Sequence, residues 1–96
     1  MKKSELIESM GRKFQLPVKD VELAVNILLE QMGEALAEGG RIEIRGFGAF
    51  SVRFRPGRMA RNPGTGEVFP VEGKYWVHFR PGKELLDRIN APHQDA

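Results

Sequence analysis

The residues that most restrict how this chain can fold lie near its middle. Between positions 56 and 73 the sequence is punctuated by Pro56, Gly57, Pro63, Gly64, Gly66, Pro70 and Gly73, and its sizeable apolar residues are Met59, Val68, Phe69 and Val71. Such a stretch cannot form a packed core. A structureless loop of that length is also unusual in a small domain. A long hairpin reaching away from the body accounts for it, with the turn-forming run Asn62-Pro63-Gly64-Thr65-Gly66 at its tip. An arm that is polar, glycine-rich and weakly packed is expected to be mobile while nothing is bound to it.

An arm needs strands at its root, and the flanking sequence supplies them. Ile42 and Ile44 alternate with Arg41, Glu43 and Arg45. A tight turn at Gly46-Phe47-Gly48 follows. Phe50, Val52 and Phe54 then share one parity, and Ser51, Arg53 and Arg55 share the other. Beyond the arm, from Lys74 to Phe79, Tyr75, Val77 and Phe79 alternate with Trp76 and His78. The pattern is that of an antiparallel sheet with one solvated, basic face and one apolar face expected to pack on helices.

The helices come from the ends of the chain. Leu6, Ile7, Met10 and Phe14 recur at helical spacing, and Pro17 breaks that run. From Val18 a longer stripe follows through Val21, Ala24, Val25, Leu28, Met32, Ala35 and Leu36, and Gly39-Gly40 closes it. Pro81-Gly82 opens a last short helix, Lys83 to Asn90, with Leu85, Leu86 and Ile89 as its apolar stripe. The fold class is therefore α+β: two N-terminal helices, a three-stranded antiparallel sheet carrying a long β-ribbon arm, and a short C-terminal helix. Residues 1–90 read as a single domain. Its helical base spans 1–40, its sheet 41–80 with the arm at about 55–74, and its last helix 81–90; residues 91–96 read as a flexible tail.

Charge distribution narrows the function. Residues 41–83 hold nine basic and three acidic side chains, whereas 1–40 and 84–96 are each net −2. A central, arginine-rich patch is either the electrostatic footprint of a nucleic-acid site or an ordinary solvated face. The chain has no cysteine and two histidines, His78 and His93. This argues against a disulfide framework and a transition-metal site. No nucleophile–base grouping is evident. Gly46-Phe47-Gly48 lacks the third glycine of a dinucleotide fingerprint, and Pro81-Gly82-Lys83 lacks the first glycine and the Ser/Thr of a P-loop. Catalysis and a cofactor are not expected. The charged start, Met1-Lys2-Lys3-Ser4-Glu5, lacks a signal-peptide core. With no apolar run of spanning length, a cytoplasmic protein without membrane contact is expected.

Three segments in register carry a resemblance. Gly46-Phe47-Gly48-Ala49-Phe50, Arg61-Asn62-Pro63-Gly64-Thr65-Gly66 and Phe79-Arg80-Pro81-Gly82-Lys83-Glu84-Leu85 resemble, in order and spacing, the hinge, arm tip and last-helix start of the bacterial HU/IHF histone-like DNA-binding proteins. The resemblance covers about residues 2–90. Ile42-Glu43-Ile44-Arg45 and Glu72-Gly73-Lys74-Tyr75 look most like the family's β-type subunits, which pair with a related α subunit. It implies an intertwined dimer whose two arms wrap the minor groove of double-stranded DNA and bend it, within the bacterial nucleoid and in support of transcription, recombination and replication.

The resemblance also implies roles. Pro63 matches the intercalating proline; without the resemblance it is equally a plain turn former. A rigid apolar ring without an N–H can enter a base stack, at a cost of a few kcal/mol. Arg58 and Arg61 are expected in the minor groove. Arg53, Arg55, Lys74 and Arg80 are expected on phosphates or groove edges. Arg45 sits where the family gains part of its sequence preference, and Glu43 either orients it or is a solvated carboxylate. Gly46 and Asn62 join the DNA-binding set. Lys3 and Lys83 stand at helix N-termini, which attract phosphate. Two departures from the family pattern are plain. Lys2 occupies the N-cap position, where it cannot accept the backbone N–H bonds of the first turn. Met59-Ala60 and Pro70 in the arm have no explanation in it. Three other functions compete: an HU-like homodimer with little sequence preference, a protein-interaction module, and a single-strand or RNA binder stacking bases on Trp76 and Tyr75.

Overall fold

The change of period at Gly39-Gly40 is where the architecture changes. The computed structural model describes residues 1–93. They fall into two compact units, Met1–Ala35 and a second beginning at Leu36.

The first unit holds α1 (Lys3–Phe14) and most of α2 (Val18–Ala37). Its core is Ile7, Val21 and Val25, with Met10 packed against them. Gly11 is also buried, and a Cβ there would stand 3.2 Å from the Leu16 carbonyl. Gln15 ends α1 in the left-handed region at φ 54°, and the Leu16 N–H donates to the Gly11 carbonyl at 2.9 Å. Lys2 makes no side-chain cap, as its chemistry requires. Instead Lys3 fastens α1 to α2, its Nζ donating to Asn26 Oδ1 at 2.7 Å. Part of the apolar stripes is uncovered, at Leu6, Phe14 and Leu28, and Leu23 and Ile27 outside them are exposed too. At the end of α2, Gly39 takes φ 81° and its N–H donates to the Leu36 carbonyl at 2.9 Å.

The second unit contains a three-stranded antiparallel sheet and a two-stranded ribbon. The sheet has β2 (Gly48–Arg55) between β1 (Ile42–Ile44) and β5 (Lys74–Pro81). The ribbon pairs β3 (Arg58–Arg61) with β4 (Val68–Val71). Phe50 lies opposite Phe79, Val52 opposite Val77 and Phe54 opposite Tyr75, so the expected apolar parity holds across the strands. The Phe50 and Phe79 rings are 4.7 Å apart and those of Phe54 and Tyr75 4.9 Å apart. The expectation that this face is buried on helices needs correction. Phe54, Tyr75 and Val77 are exposed, and every buried apolar side chain among the described residues belongs to the first unit.

The turn between β1 and β2 is closed by the Phe47 N–H donating to the Ile44 carbonyl at 2.9 Å. Glycine is required at Gly48, because a Cβ there would lie 2.7 Å from the Phe79 ring. The Gly82 N–H then donates to the Phe47 carbonyl at 2.8 Å, tying the start of α3 (Lys83–Asn90) to this turn. Of the stretch read as a tail, Ala91–His93 form a 3-10 turn, and 94–96 lie outside the described residues.

The arm is not a simple extension of β2 and β5. Both strands break at the same level, at Pro56-Gly57 on one side and Glu72-Gly73 on the other. Gly73 lets the chain pass the Phe54 ring, which a Cβ would approach to 2.5 Å. Beyond that break the ribbon is a bare two-stranded hairpin, marginal by itself in water. In hydrogen exchange of the free protein, amides of 58–61 and 68–71 are expected to exchange orders of magnitude faster than those of Phe50 and Val52. Equal protection would contradict this.

Candidate nucleic-acid interface

Strand alternation assembles the basic face. Because opposite residues in an antiparallel pair share a face, the register places Arg53 beside Trp76, Arg55 beside Lys74, Ser51 beside His78 and Ala49 beside Arg80. Glu43, opposite Ala49, continues this face onto β1. Arg41, Arg45 and Arg80 line one shallow cleft of about 480 Å³, together with Glu43 and Gly82. The structure thus brings Arg45 and Arg80 together in one cleft, a juxtaposition the sequence reading did not anticipate.

The expected orientation of Arg45 by Glu43 is not what the structure holds. Glu43 Oε1 instead accepts from Arg41 Nε at 2.9 Å. Arg41, which is not among the expected site residues, lines the same cleft. Its signal lies in the sequence, because Arg41, Glu43 and Arg45 are spaced two apart and share one side of an extended chain.

The cations of the ribbon are arranged differently. Arg58 and Arg61 are three residues apart in β3, so they point to opposite faces, Arg58 opposite Val71 and Arg61 opposite Val68. A ribbon lying in a groove would present one to each wall. Met59 lies directly across from Pro70, which places two of the three unexplained arm residues side by side. The tip is locked by Asn62. Its Oδ1 accepts the Gly64 N–H at 2.9 Å, its N–H donates to the Glu67 carbonyl at 2.8 Å, and its carbonyl accepts the Gly66 N–H at 2.7 Å. The Asn62 carboxamide oxygen therefore shapes the tip. Pro63, beside it, is exposed.

The helix-end lysines have local partners. Lys3 is held by Asn26 in the first unit. Lys83 pairs with Asp87 at 3.0 Å, but its side chain is 89% exposed, so this pair is worth little and yields readily to a phosphate. Among the described residues the ion pairs are Arg41–Glu43 and Lys83–Asp87. Arg45, Arg53, Arg55, Arg58, Arg61, Lys74 and Arg80 therefore lack a neutralising carboxylate within the second unit, among the described residues. A concentration of unpaired, solvent-facing arginine is costly to assemble by self-repulsion and suits a polyanion.

Residues 1–90 match the family model described as "Bacterial DNA-binding protein". The chain belongs to the HU/IHF family of bacterial DNA-binding proteins. It is 59% identical over 95 residues to integration host factor subunit beta of Thioalkalivibrio sulfidiphilus, covering 98% of this chain and 99% of that one. It is 63% identical over 92 residues to the same subunit of Alkalilimnicola ehrlichii, covering 95% and 92%. Among solved structures, an Anabaena HU–DNA cocrystal superposes with TM-score 0.83 at 29% identity, covering 93% of this chain and 97% of that one. HU from Thermotoga maritima gives TM-score 0.65 at 30% identity, covering 93% and 98%. The fold is the HU/IHF α+β fold, and the chain is an architectural DNA-binding protein, not an enzyme.

Proposed function

We propose that this HU/IHF chain grips the minor groove of duplex DNA with its β-ribbon and bends it by inserting Pro63 between base pairs. The observation that carries the proposal is the set of uncompensated cations on the sheet face and ribbon, leading to an exposed proline at the ribbon tip. Arg53, Arg55, Lys74 and Arg80 take phosphates flanking the bend; Arg58 and Arg61 enter the groove; Arg45 and Gly46, expected near the arm base, lie instead beside the Gly48–Pro81 end of the sheet, away from the Arg55–Lys74 end that carries the arm, and meet the duplex there. Lys3 and Lys83 add phosphate contacts at their helix ends. Glu43 pairs with Arg41 on that strand face and leaves Arg45 unneutralised and available to the duplex. Minor-groove chemistry is degenerate, so sequence preference comes largely from DNA shape and flexibility.

The working form is a dimer in which residues 1–90 act as one DNA-binding domain. The relatives are beta subunits, which favours a heterodimer with a related α-type chain, and a self-paired, HU-like form is the alternative. The setting is the cytoplasmic nucleoid, with effects on transcription, recombination and replication. No helix among the described residues is long and apolar enough to cross a membrane.

The phosphate-binding cations are testable one at a time. Removing a single cation–phosphate interaction should lower the slope of log affinity against log salt by about 0.9. Arg80→Ala is expected to do this; an unchanged slope would remove Arg80 from the interface.

A further inference from the structure

Trp76 is the chain's only tryptophan, and the DNA reading gives it no role. It lies on the basic face of β5, directly opposite Arg53 and diagonal to Arg55, and it is 38% exposed. The Arg53 and Arg55 guanidinium carbons stand 6.0 Å and 5.7 Å from its ring. His78 meets the same ring edge-on, with centroids 5.7 Å apart. Both guanidinium distances lie at the outer range of cation–π attraction, for which tryptophan is the best aromatic partner.

The arrangement answers a physical problem. Arg53 and Arg55 are two residues apart on one strand face, both charged and neither paired with a carboxylate among the described residues. Free of restraint they would repel each other and sample many rotamers. Fixing them at the moment of binding would cost conformational entropy. One ring attracting both guanidinium groups offsets the repulsion and limits the rotamers. A guanidinium over a ring keeps donors free at its edge for phosphate oxygens.

We propose that Trp76 is a positioning residue that holds Arg53 and Arg55 as a preorganised pair for the DNA backbone at the root of the arm. The proposal rests on the DNA reading above and deepens it. It differs from direct contact in a measurable way, because Trp76 acts through the two arginines.

The test is a mutant cycle read as duplex affinity at fixed salt, using the chain in whichever dimeric form binds. Trp76→Leu is expected to weaken binding about tenfold, as loss of two exposed cation–π interactions implies. In an Arg53→Ala/Arg55→Ala background the same change is expected to cost less than about twofold, since the groups it positions are gone. Trp76→Phe should recover most of the loss. If Trp76→Leu fails to fold, Trp76→Phe carried through the same cycle decides, with a smaller loss that again vanishes without the arginines. Equal losses in both backgrounds, or no loss in either, would overturn the positioning role while leaving DNA binding intact. Absence of duplex binding by the unaltered protein would instead overturn the reading underneath it.

Discussion

Pro63→Ala should leave the protein folded and still able to bind duplex DNA, but with most of the bend gone. The tip does not need the pyrrolidine ring to hold its shape. Among the described residues its hydrogen bonds run through Asn62, Gly64, Thr65, Gly66 and Glu67, and none passes through Pro63. The ring is exposed, so replacing it opens no cavity. What is lost is the rigid apolar wedge. Smooth bending of a site this short costs on the order of 1–6 kcal/mol, whereas a kinked, unstacked step concentrates the deformation in one place. Without the wedge the arms still reach the groove, but the flanks of the duplex no longer fold back onto Arg53, Arg55 and Arg80. End-to-end energy transfer on a labelled duplex should fall close to that of free DNA, and affinity should drop at least about tenfold, the equivalent of 1.4 kcal/mol. Unchanged transfer would show that Pro63 is a plain turn former.

The second large effect concerns stability. Val52→Asp should abolish cooperative folding. Ile7, Val21 and Val25 form the buried hydrophobic core, among the described residues. A core that small cannot offset the conformational entropy of a chain of 96 residues. In the dimer proposed above, a second chain covers the apolar face of the sheet, where Val52 lies opposite Val77. An aspartate buried there would lack a partner, and a penalty above about 4 kcal/mol is expected. The melting temperature of the unaltered protein should rise with protein concentration, because association contributes to stability by mass action. Circular dichroism melts at several concentrations check both points. A concentration-independent melt, with a folded Val52→Asp monomer, would contradict the dimeric account.

Local patterns make much of this fold legible. Period-two alternation places Arg53, Arg55, Trp76 and His78 on one face from sequence alone, because strand geometry fixes facing directly. The helical stripes and the glycine stop at Gly39-Gly40 are equally local. The density of Pro and Gly between 56 and 73 identifies the arm, and the turn-forming run Asn62-Pro63-Gly64-Thr65-Gly66 locates its tip. Three features are not legible, for separate reasons. Alternation assigns faces but not rotamers, so Glu43 could choose Arg41 over Arg45. The common break of both arm strands depends on which residues lie opposite each other, and pairing register is not local. The apolar sheet face is exposed in the single chain, and alternation alone does not say whether the chain's own helices or a second chain cover it.

The most direct test of the central claim is energy transfer between dyes on the two ends of a short A/T-rich duplex. It is titrated with this chain, alone and with an α-type subunit, across a salt series. The account predicts a rise in transfer on binding and a steep loss of affinity as salt increases. No rise in transfer, with or without the second subunit, would contradict it.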